Sequence, residues 1–115
     1  MKYDILTLIG KNCITPEDGQ KVYDLAHAEL LAEQPIELDF AEVKIFASPF
    51  FNFAIGQLLK DIQPESLNRL LKISNLNLVG KQILRRVIEN SKLYYSDENN
   101  RKAVDEALRE QAESA

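Results

Sequence analysis

Reactive side chains are scarce in this sequence. The 115-residue chain holds one cysteine, one methionine and one histidine. A single cysteine, Cys13, excludes an intrachain disulfide and gives no sign of an oxidising compartment. It follows Lys11-Asn12, where a lysine could lower its pKa, but no histidine is near it in sequence, and a small packing residue is the plainer reading. His27 stands alone in an alanine- and leucine-rich segment. A general base needs a partner and a cleft, so a packing or surface role fits it better. Asp39 and Glu42 are close in sequence, but no His or Cys joins them to make a metal site. Glycine is equally sparse. Gly10, Gly19, Gly56 and Gly80 are scattered, which excludes a glycine-rich phosphate loop. Catalytic residues, metal ligands and a cofactor are therefore not expected, and the chain reads as a non-enzyme.

Long apolar runs are missing too. Nothing approaches the roughly 20 apolar residues of a spanning helix. The opening MKYDILTLIGK is too short and too polar at Asp4 for a signal peptide. A soluble cytoplasmic protein without membrane contact is the expectation. The net charge of −4 argues against nonspecific nucleic-acid binding, which needs a basic face.

What is present fits one globular domain with its own core: 45% apolar and 28% charged residues. Tyr3 to Ile9 is rich in strand formers and ends at Gly10. Apolar residues on both of its faces predict a strand covered on both sides. TPED at 15–18 predicts a helix start, with Thr15 capping, Pro16 in the first turn and two acids against the dipole. Val22, Leu25, Ala26 and Leu30 follow at helical spacing, to about Glu33 before Pro35. PIELDF at 35–40 reads as a strand, and Val43, Ile45 and Phe46 as a short strand or extended turn. Ser48-Pro49 repeats the helix-start logic, with Phe51, Ile55, Leu58, Leu59 and Ile62 on one face of a helix ending before Pro64. LLKIS at 70–74 is strand-like. Asn75 and Asn77 make a turn, and Asn77 suits the cap of a helix whose stripe is Val79, Ile83, Leu84, Val87 and Ile88. A last helix or tail is read over 96–115, following a domain at 1–95. Strand and helix alternate, which predicts an α/β fold: a small mixed or mainly parallel sheet of about four strands with three to four helices.

Two features go beyond packing. Lys81, Arg85, Arg86 and Lys92 form a basic set, and Lys81 and Arg85 share a face. They suit a phosphate or an acidic partner, and also an ordinary solvated face. The stretch SPFFNFA is the other. Phe51 lies on the apolar face, Phe50 at its flank and Phe53 opposite, beside Lys60. Phe53 is either packed under a neighbouring helix or an anchor for a partner.

The run IELDFAEVKIFASPFFNFAIGQLLKDI, followed by LLKISNLN, resembles the STAS superfamily of anti-sigma factor antagonists and sulfate-transporter cytosolic domains. It is most similar to the bacterial STAS-like domains of unknown function. The resemblance spans about residues 2–94 and rests on a strand ending in Leu-Asp-Phe, a hydrophobic link and a serine opening a helix. It implies a STAS-like α/β fold. It also implies a noncatalytic regulatory module that binds a protein partner, such as a histidine-kinase-like ATPase or kinase in signalling. The antagonists carry an Asp-Ser-Ser-Gly turn in which the second serine is phosphorylated. Here Ala47, Ser48, Pro49 and Phe50 stand there, so the acceptor position is a proline without a hydroxyl. Ser48 then reads as a helix cap rather than a phosphorylation site. The partner face implied is Ser48, Pro49, Phe50, Asn52 and Phe53. The alternative is a small-molecule or nucleotide site around Ser48, Ser74 and Asn75, at the carboxyl ends of strands.

Overall fold

The computed structural model describes residues 1–96; the helix or tail read over 96–115 falls beyond them apart from Ser96. The described residues form five short strands and five α-helices, with two strands adjacent in the order at β3-β4 and two helices at α3-α4. Strand β1 is Lys2–Asp4, followed by a one-turn helix α1, Ile5–Leu8. Then come β2 (Asn12–Cys13), α2 (Pro16–Leu31), β3 (Ile36–Asp39) and β4 (Ile45–Phe46). Helix α3 (Ser48–Ala54) runs into a 3₁₀ turn at Gly56–Lys60, and α4 (Pro64–Leu70), β5 (Leu71–Ser74) and α5 (Leu78–Ser96) complete the order. All strand pairs are parallel. One sheet has the order β1-β3-β5, and β2 pairs with β4 in a second. The parallel α/β expectation holds, with more helices than the pattern suggested and the strands divided between two sheets.

The N-terminal strand is much shorter than expected. Asp4 explains why: its carboxylate accepts from the Leu6 amide at 3.1 Å and from the Thr7 hydroxyl at 2.9 Å. That cap turns the chain into α1 despite its strand-forming residues, because local hydrogen bonding competes with a ladder. Ile5 is buried and Leu8 is exposed, so the segment is not a strand covered on both sides. Gly10, at φ +126°, redirects the chain into β2.

Helix α2 starts as expected, with the Thr15 hydroxyl accepting from the Asp18 amide at 3.1 Å. Val22, Ala26 and Leu30 are buried, whereas Leu25 faces solvent. The helix predicted over Ser48–Ile62 is broken after Ala54. The Gln57 side-chain amide donates to the Phe53 carbonyl at 2.8 Å, the position a helical backbone amide would otherwise take. The apolar set survives the break: Phe51, Ile55, Leu58, Leu59 and Ile62 are all buried.

Pro64 does not merely close that segment. It sits in the first turn of α4, a helix the pattern did not reveal. Asn77 caps α5 through the Gly80 amide at 2.8 Å, as its position suggested. In α5 Leu84 and Val87 are buried, Ile83 and Ile88 are half-buried, and Val79 is exposed, since it lies in the first turn beyond the core. An aromatic cluster centres the core. Phe51 contacts Phe40, Phe46 and Phe50 at ring-centroid distances of 6.0, 5.5 and 5.3 Å. Each such side chain contributes about 1.5–3 kcal/mol through burial.

Candidate functional site

Helix α3 has two well-separated faces. At about 100° per residue, Phe50, Phe51 and Ala54 share one arc, and Ser48, Pro49, Asn52 and Phe53 share the other. The first three are buried and the other four are exposed. Phe50 therefore leaves the expected partner-facing set. It is fully enclosed, not at the flank, because α2 packs over it. Phe53 is 41% exposed, and its Cβ lies beside α2 at Gly19. The close approach of α2 is made at Gly19: a Cβ there would lie 2.4 Å from the Phe50 carbonyl and 3.0 Å from the Phe53 Cβ.

Ser48 is not the cap. Ala47 precedes the helix in extended backbone, no side chain caps it, and the Ala47 carbonyl accepts from the Phe50 amide at 3.2 Å. The chain enters α3 one residue earlier than the capping geometry requires, so Ser48 occupies the first helical position with its side chain at the surface.

The carboxyl ends of β3 and β5 form a separate polar network. The Ser74 hydroxyl donates to Glu37 at 2.7 Å, and Asn75 donates to Asp39 at 2.9 Å. Lys2 lies 3.5 Å from the Asp39 carboxylate and 3.9 Å from that of Glu37. Asn75, the Ala41 amide and Lys2 hold the Asp39 carboxyl below its usual range. Ser74 and Asn75 thus stitch neighbouring strands. The groove lined by Asn75 includes neither Ser48 nor Ser74.

Other reactive groups are placed as packing. Burial, with Asp18 nearby, pushes the Cys13 thiol up to about 12, so it is not a thiolate nucleophile. His27 stacks on Tyr23 at 4.7 Å and donates from Nε2 to Asp61 at 2.8 Å. This pair ties α2 to the end of the 3₁₀ turn. Sequence reasoning missed it because Asp61 is 34 positions away. Burial, then Asp61 and Asp24, raise the Tyr23 hydroxyl. Among the described residues, no three His, Cys, Asp or Glu side chains could hold a metal ion, and no helix is long and apolar enough to cross a membrane.

A parallel α/β domain with a helix presented beside the strand ends is a STAS-like arrangement. Residues 18–81 match the model of the family described as a STAS-like domain of unknown function. That span exceeds half of the chain, and the chain belongs to this family. Comparison with curated proteins and with solved structures returns no match.

Proposed function

We propose that this protein is a noncatalytic regulatory module that binds a protein partner through the outer face of α3. The observation that carries this is Phe53: a large apolar ring, 41% exposed, on a helix whose other face is locked into the core. An exposed aromatic on a rigid element has the character of an interface anchor, since it contributes area at little entropic cost. Asn52 and Ser48 add a small polar edge, and Pro49 lies on the same exposed face. A signalling ATPase or kinase is the partner class that the family resemblance suggests. Proline at position 49 leaves that site without a hydroxyl to phosphorylate, so binding there is not switched at that residue.

The test is replacement of the anchor. Phe53→Ser should leave the melting temperature within a few degrees of the parent, because only part of the ring is covered, while capture of the native partner in pull-downs from its host falls sharply. A large fall in melting temperature, or unchanged capture, would remove Phe53 from the interface.

A further inference from the structure

Between β5 and α5 lies a groove of about 540 Å³. Its apolar lining comes from Ile73, Leu76, Leu84 and Ile88. Lys81, Arg85 and Lys92 also line it, with Glu89 as the one acidic member. At about 100° per residue, Lys81, Arg85 and Lys92 fall on one stripe of α5, directly beside Ile88. No carboxylate among the described residues forms an ion pair with any of the three.

The strand beside this groove is unfinished. In the order β1-β3-β5, β5 is an edge. In a parallel ladder, alternate residues turn both backbone groups toward the same neighbour. The Ser74 carbonyl accepts from the Phe40 amide at 2.9 Å, so Ser74 and Lys72 face β3. Leu71 and Ile73 face outward. The Leu71 amide is used by the Leu67 carbonyl in ending α4. Among the described residues, the Ile73 amide and carbonyl have no partner in the ladder or in any turn. Ile73 is also the strand residue that lines the groove.

We propose that this groove binds an extended, acidic segment of a partner protein, which adds to β5 as a strand. The Ile73 amide and carbonyl would supply the main-chain bonds, alternate apolar side chains would fill the floor, and acidic ones would meet Lys81, Arg85 and Lys92. The charge pattern selects the occupant. A cationic segment would be repelled by three unpaired cations. A nucleic acid would face a chain of net charge −4, without the broad basic surface it needs. This site is separate from the outer face of α3, so the two can be tested independently.

The probe is a fluorescein-labelled octapeptide of alternating glutamate and valine, titrated into the full chain by anisotropy. Saturable one-to-one binding that weakens with added salt is expected. The lysine-valine counterpart should not bind. Lys81→Glu with Arg85→Glu, at two solvent-facing positions, should weaken binding about tenfold or more with an unchanged circular-dichroism spectrum. Ile73→Pro removes the outward amide without touching the bonds to β3, and should abolish binding; Phe53→Ser should leave it intact. Absent binding, equal binding of the lysine peptide, or indifference to the double charge reversal would overturn the proposal. Displacement of the peptide by a single-stranded oligonucleotide would overturn it in favour of nucleic acid. Hydrogen exchange at Ile73 in the peptide-free chain checks the remaining occupants. Rapid exchange is expected; protection that grows with concentration would mean a second copy, and protection at all concentrations a segment of the chain itself.

Discussion

Neighbouring side chains of one type have opposite fates in this protein. Phe50 and Phe51 are fully enclosed, whereas Phe53, two positions on, is 41% exposed. Helical rotation explains Phe51 against Phe53, and that was legible in the sequence. Phe50 was not, because its burial depends on α2 passing at Gly19, a contact between distant segments. Cys13 shows the same dependence. The packing role favoured over activation by Lys11 holds, but only the fold shows its extent: burial raises the thiol to about 12. The thiol should therefore react with Ellman's reagent at pH 8 only as fast as the chain opens, and promptly once denaturant is added. Prompt reaction of the native protein would show that Cys13 is accessible.

At the scale of elements, α2 and α3 meet through a glycine because their backbones come too close for a side chain. Gly19→Ala would put a methyl group 2.4 Å from the Phe50 carbonyl. Alanine normally favours a helix by about 1 kcal/mol over glycine. Here the clash wins, since a backbone carbonyl fixed by its own helix cannot move cheaply. The variant should be less stable by about 1–3 kcal/mol in urea unfolding, as for other overpacked sites. A gain in stability would show that the helices separate easily. The helix starts at Thr15 and Asn77 were readable, because caps are local. The break at Ile55 and the turn into α1 were not: each comes from a side chain, Gln57 or Asp4, taking a backbone partner that periodicity cannot display.

The whole molecule is held by a small parallel sheet whose polar ends are cross-linked. Asp39 is central, joining Lys2 of β1, the Ala41 amide and Asn75 after β5. Its carboxyl is held below the usual range, so its contribution to stability is present above the unfolded-state pKa. It is lost as pH falls through the lower folded value. Asp39→Asn should flatten the loss of stability below about pH 4, the usual carboxylate range, while lowering stability at pH 7. An acid-unfolding profile identical to the parent would show that other carboxylates set the slope.

Local spacing set the α/β class, the long capped helices α2 and α5, the apolar face through Phe51 and Ile62, and the family to which the chain belongs. These depend on spacing and on contacts within a few residues. Tertiary structure alone decided the strand order, the enclosure of Phe50, the pairing of His27 with Asp61, and the open edge of β5 beside a basic helix face. Each of those depends on which distant segments come to lie together, and no local spacing carries that information.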